Sequence, residues 1–166
     1  MMTTNIDRHG SAEITLPSDT EFLVTRLFDA PADAVFRAYT TPDLVKRWWG
    51  FETAEWQVCE IDLRVGGRWR YVVRQDDFEV GFHGTYREIE RPGRLVHTEA
   101  YEGIPDPDDH AAVNILTLEE ADGVTTMKVL VQHNSKEDRD AVLASGMESG
   151  MQVSYDRMED LIRGGV

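Results

Sequence analysis

The chain is 166 residues long, 41% hydrophobic and 29% charged, which suits a single domain with a real core. Its formal net charge of −14 argues against nucleic acid and against anionic membrane surfaces, both of which are recognised through clustered Lys and Arg. The lone Cys59 excludes an internal disulfide, no apolar run nears the ~18 residues of a membrane span, and Met1 to Glu13 lack a secretory apolar core, so a cytoplasmic location is expected.

Residues 1–19 read as a flexible polar segment and 20–166 as one domain. A strand rich in β-branched and aromatic residues is predicted over Glu21–Phe28. Pro31 then opens a short helix through Val35 and Phe36, since its missing N–H loses nothing in a first turn. Thr41-Pro42-Asp43 starts a second, with a hydroxyl cap and a carboxylate at the positive helix end, and Gly50 stops it after Trp48 and Trp49.

The period then changes to that of strands, over Ala54–Asp62, Arg68–Gln75, Phe78–Glu90, Arg94–Tyr101, Ala112–Glu120 and Val124–His133. Gly66-Gly67, Asp76-Asp77, Pro92-Gly93 and Asp122-Gly123 supply turn chemistry at the junctions. Such short links imply an antiparallel meander, because parallel crossovers need a dozen or more residues. Glu102 to His110 is a longer, acidic, proline-containing loop. Its clustered carboxylates (Asp106, Asp108, Asp109) are the kind that solvent ordinarily satisfies, and neither a metal nor another cofactor is expected.

Last comes a capping box at Ser135 and Asp138, followed by Leu143, Met147, Met151, Tyr155, Met158 and Ile162 at spacings of four, four, four, three and four. This stripe predicts one helix of about 25 residues, with Glu148, Gln152, Asp156, Glu159 and Asp160 on other faces. A curled sheet of about seven strands has only this helix to fill its concave side, so the expected architecture is α+β with a space left between sheet and helix.

Phe28-Asp29-Ala30-Pro31, Thr41-Pro42-Asp43 with Trp48-Trp49-Gly50, Asp62 to Gly67, Gly146-Met147 with Gly150, and Ser154-Tyr155-Asp156-Arg157 occur in that order. Together they resemble bacterial homologues of the activator of the ninety-kilodalton heat-shock chaperone ATPase, in the SRPBCC (START-like, helix-grip) superfamily. The resemblance implies a helix-grip fold with a deep cavity; it implies no reaction, since relatives include lipid carriers, hormone receptors and polyketide cyclases. This chain carries Met151 where many relatives have tryptophan, and His97 and Glu99 where they have apolar or aromatic residues.

Alternation places Trp69, Tyr71 and Val73 on one face of their strand, Phe82, Gly84 and Tyr86 on the next, and Met127, Val129 and Val131 on the last. Trp69, Tyr71, Phe82, Tyr86, Met147, Met151 and Tyr155 therefore converge between sheet and helix, as core or as pocket wall. His97 and Glu99, two apart, share a face with Leu95 and Tyr101; turned inward, they would orient a ligand or act as acid and base. His83 shares its face with Thr85 and Arg87 and is read as solvent-facing. Among the possible functions, binding of a small hydrophobic or amphipathic ligand by a monomer or homodimer leads. A cyclase- or hydrolase-type enzyme using His97 and Glu99, and a chaperone-modulating interaction protein, are the alternatives.

Overall fold

A computed structural model of the chain describes residues 7–165; the tail expected over Met1 to Ile6 lies outside the described residues. In chain order the elements are β1 (Glu13–Ser18), β2 (Glu21–Phe28), α1 (Ala32–Thr40), α2 (Pro42–Trp48), β3 (Glu55–Ile61), β4 (Arg68–Gln75), β5 (Phe78–Glu90) and β6 (Arg94–Tyr101). A short 3-10 turn over Pro107–His110 follows, then β7 (Ala112–Ala121), β8 (Val124–Gln132), α3 (Lys136–Ala144) and α4 (Met147–Arg163). The strands make one sheet, in the order β1-β2-β8-β7-β6-β5-β4-β3, and every neighbouring pair is antiparallel.

The expected segment 1–19 thus contains a strand, making eight strands instead of about seven. β1 is a short edge strand whose Pro17 falls in the register irregularity between Thr15 and Ser18, beside the turn into β2, where a missing N–H disturbs no ladder. Ahead of it the chain is strapped to α4. Ala12 N–H donates to Gln152 Oε1 at 3.0 Å, Gln152 Nε2 donates back to the Ala12 carbonyl at 2.7 Å, and Gly10 N–H donates to Asp156 at 3.0 Å.

The long terminal helix is also two helices. Ser135 caps α3 as expected, accepting from Asp138 N–H at 3.1 Å. Gly146, at φ 82°, then turns the chain in the left-handed region that glycine tolerates best, and α4 starts afresh at Met147. α3 is too polar to enter the core and buries only Arg139, whereas α4 buries Tyr155, Met158, Glu159 and Leu161. Thr41 stands at the start of α2, but its side chain makes no cap hydrogen bond.

Glu159 is the second departure on this helix: expected on a polar face, it is 2% exposed. Its partner is Arg26 of β2, fully buried, which donates to Glu159 Oε1 at 3.3 Å and to Asp156 Oδ1 at 3.0 Å. Alternation along β2 (Phe22, Val24, Arg26, Phe28) puts this arginine on the helix side, and an inward guanidinium demands an inward carboxylate.

The concave face is built from rows that cross the sheet. Tyr86, His97, Asn114, Val131 and Phe22 oppose one another directly across β5, β6, β7, β8 and β2; in the neighbouring row Leu95, Leu116, Val129 and Val24 follow across β6, β7, β8 and β2. α4 crosses this face, and α1 and α2, inserted between β2 and β3, close one end. Trp48 of α2 donates Nε1–H to the Ala38 carbonyl at 2.9 Å and lies beside Tyr155, while Arg157 of α4 donates to the Gly50 and Arg47 carbonyls. A curved antiparallel sheet gripping a C-terminal helix is the helix-grip fold. Among the described residues no helix is long and apolar enough to cross a membrane.

Candidate functional site

The ladder between β5 and β6 lapses near Gly84, and the lapse organises the concave face. Thr85 N–H donates to the side chain of Thr98, Oγ1, at 2.9 Å. The Thr98 carbonyl accepts instead from Trp69 Nε1–H at 3.0 Å and from His97 Nδ1 at 3.2 Å. Gly84 is required here, because a Cβ would run into that carbonyl and into the Trp69 indole.

A carbonyl only accepts, so Nδ1 of His97 carries the proton and Nε2 is the bare acceptor of a neutral ring. Burial pulls the His97 pKa down to about 4, against the upward pull of the Thr98 carbonyl. The ring is held between aromatic neighbours, with its centroid 5.5 Å from Trp69 and 6.0 Å from Tyr86, both near edge-on.

Glu99 follows on the same face. Burial lifts its pKa to about 7, opposed by a hydrogen bond from Asn114, which favours the charged form. No ion-pair partner of Glu99 exists among the described residues. Asn114 is 7% exposed, and its Oδ1 has no hydrogen-bond partner. Tyr39 of α1 and Tyr155 of α4 bring their hydroxyls within 3.4 Å of each other, and the Glu99 carboxylate raises the pKa of Tyr39, Tyr71 and Tyr155 beyond what burial does. Burial, with the Glu99 charge added, carries Tyr155 to about 12 against the hydrogen bond with Tyr39, so these phenols stay protonated donors.

The candidate residues therefore meet as follows. Trp69, Tyr71, Tyr86 and His97 form one ring-contact cluster, with Trp69 and Tyr71 4.7 Å apart. Phe82 joins through Trp49, which stands 5.5 Å from Phe82 and 5.2 Å from Tyr71. Tyr155 is linked to Phe28, Trp48 and Tyr39 on the other wall. Met147 and Met151 are partly buried against the same core. Sequence reasoning missed Asn114 and Tyr39. The signal for Asn114 was available: it is a polar residue at an inward position of the strand Ala112, Asn114, Leu116, Leu118.

His83 is not in bulk solvent. On the outer face it bridges Glu102 Oε2 at 2.7 Å and Asp108 Oδ1 at 2.6 Å, pinning the acidic loop to β5. Arg70 pairs with the same Glu102. Two open depressions lie on the surface, one lined by Thr53, Glu55 and Arg74 and the other by Glu60, Trp69, Arg70, His83 and Glu102. Neither is lined by His97, Glu99 or Asn114. Burial raises the Cys59 thiol to about 11, which leaves it protonated and a poor nucleophile.

This combination of an eight-stranded curved sheet, gripped helix and polar residues set in an aromatic concave face defines a member of the SRPBCC superfamily. The model of the family described as "Activator of Hsp90 ATPase homolog 1-like protein" matches residues 29–163, and the chain belongs to that family. Among solved structures, a Rhodobacter sphaeroides protein is similar at 26% identity with a TM-score of 0.84, covering 93% of this chain and 99% of that one. The Mycobacterium smegmatis protein Ms6760 matches at 23% identity and a TM-score of 0.79, covering 90% and 94%. A protein of Arthrobacter aurescens matches at 21% and 0.79, covering 93% and 92%; these last two likenesses are of fold alone. A search of the curated proteins finds no significant match.

Proposed function

We propose that the space between β4–β7 and α4 binds a small amphipathic molecule. One observation carries this reading. His97, Glu99 and Tyr39, set between the sheet and the helices, keep part of their surface accessible, as groups lining a space do and groups in a close-packed core do not. Aromatic walls with a few convergent polar groups support it further, since they are the usual make-up of small-molecule sites.

The test is Met151→Trp, which adds bulk from α4 to that space. The variant should keep its fold and lose affinity for an apolar fluorescent dye that binds the unaltered protein. In a filled core the same change would cost about 1–3 kcal/mol of stability, with no dye binding to lose; that result would refute the reading. Native mass spectrometry of the protein as purified would then weigh whatever it carries.

A further inference from the structure

Among the phenol hydroxyls of this face stand three groups with acceptor atoms left over. His97 spends Nδ1–H on Thr98, leaving Nε2. Asn114 spends its N–H on Glu99, leaving Oδ1 buried and without a donor. Glu99 adds carboxylate oxygens with no ion-pair partner among the described residues; of the hydroxyls whose pKa it raises, Tyr39 and Tyr155 lie within 3.4 Å of each other, which takes one of their two protons. Register puts these acceptors together, because His97 and Asn114 are directly opposed and Glu99 is diagonal to Asn114. A buried acceptor without a donor costs roughly 1–3 kcal/mol, so the arrangement is one that a donor-bearing guest would complete.

We infer that the molecule held here is a hydrophobic amine, whose ammonium group donates to Glu99, Asn114 Oδ1 and His97 Nε2 while its apolar body lies among the rings. The inference rests on the reading of this face as a ligand site. Its chemistry selects between classes. A carboxylate or phosphate guest would meet Glu99 and two further acceptors with no charge to balance its own. An alcohol offers one donor to several acceptors. An alkylammonium carries a positive charge and three N–H bonds, and the faces of Trp69, Tyr71 and Tyr86 attract cations through their ring quadrupoles.

The experiment uses matched probes on phenylethyl and decyl bodies, each as primary amine, alcohol and carboxylate, titrated against the full chain by calorimetry at neutral pH. The amine of each set should bind more than about tenfold tighter than its alcohol, and the carboxylate weakest. Glu99→Gln should remove more than about tenfold of the amine affinity and weaken the alcohol by a clearly smaller factor, as loss of one partner from a buried charge pair does. Asn114→Leu should weaken the amine again by a smaller factor. Circular dichroism checks that both variants fold. A carboxylate that binds as tightly as its amine, or an amine affinity unchanged in Glu99→Gln, overturns the inference while leaving the ligand site standing. If no probe binds and Met151→Trp has no dye affinity to lose, the ligand site itself fails and the inference with it.

Discussion

Replacing Glu99 with glutamine isolates the free energy of one buried carboxylate. The side chain has an ordinary pKa of 4.5 when the chain is unfolded and one of about 7 in the folded protein, where burial opposes the charge. The difference corresponds to about 3 kcal/mol. Below pH 4.5 Glu99 is protonated in both states and the penalty is absent. Between 4.5 and 7 the unfolded chain has lost the proton that the folded chain keeps, so stability falls as pH rises; above 7 the full penalty is present. Glutamine cannot ionise, and its amide also offers a donor to the orphaned Asn114 Oδ1. The gap in unfolding free energy between variant and parent should therefore widen by about 3 kcal/mol from pH 4 to pH 8, which is roughly 6–12 °C in midpoint for a chain this long. His97 complicates the parent's own profile in the opposite sense. Its folded pKa of about 4 lies below the ordinary 6.5, so its contribution is lost as pH falls from 6.5 to 4. Between pH 4.5 and 6.5 the folded pair and the unfolded pair each hold one proton, and the two slopes cancel. Each single variant should uncover the other residue: Glu99→Gln gains stability as pH rises through that interval, and His97→Phe loses it. Urea unfolding followed by tryptophan fluorescence at half-unit pH steps measures this. A difference between Glu99→Gln and parent that stays constant with pH would refute the burial argument, whatever its size.

Arg26→Met should cost about 3–5 kcal/mol, because it strands the buried Glu159 carboxylate; Arg26→Met with Glu159→Leu should recover most of that in a double-mutant cycle of urea midpoints. Gly84→Ala should destabilise by about 1–3 kcal/mol and shift tryptophan emission, since the new methyl displaces the Trp69 indole from the Thr98 carbonyl. Both ring nitrogens of His83 face carboxylates, so the ring is held as imidazolium; burial lowers its pKa, but the hydrogen bonds to Asp108 and Glu102 outweigh this and the net shift is upward. That clasp is fully present below pH 6.5 and is lost as pH rises through the raised value. Amide exchange in residues 102–110, corrected for intrinsic rate, should accelerate there and be pH-independent in His83→Ala.

The fold was legible because its signals are local. Asp122-Gly123 takes positive φ at both positions, 54° and 78°, as a two-residue hairpin turn requires, and Ser135 caps as its capping box implied. The misses are places where one residue type has two readings. Gly146 within a periodic apolar pattern is tolerated in a helix or ends one, and only the polarity of Lys136–Ala144 favours ending it. Glu159 looks like a solvated face until Arg26, 133 residues earlier, is known to point inward.

The candidate site divides along the same line. Period-two alternation suffices to group Trp69 with Tyr71 and His97 with Glu99, because strand parity is a one-dimensional property, but it leaves open which face of β6 turns inward. What the pattern does not carry is the relation between strands. Opposition of His97 to Asn114 depends on the register of β6 against β7, which crosses the 102–110 loop, and the tautomer of His97 depends on a Thr98 carbonyl that a regular ladder would have engaged elsewhere. The chemical character of the face rests on those two relations. With Nε2 as the protonated nitrogen, or Asn114 one residue out of register, His97 and Asn114 would not present two acceptor atoms side by side. Their actual pairing sets two acceptor atoms beside a carboxylate that has no ion-pair partner among the described residues, and the proposed preference for an amine rests on that.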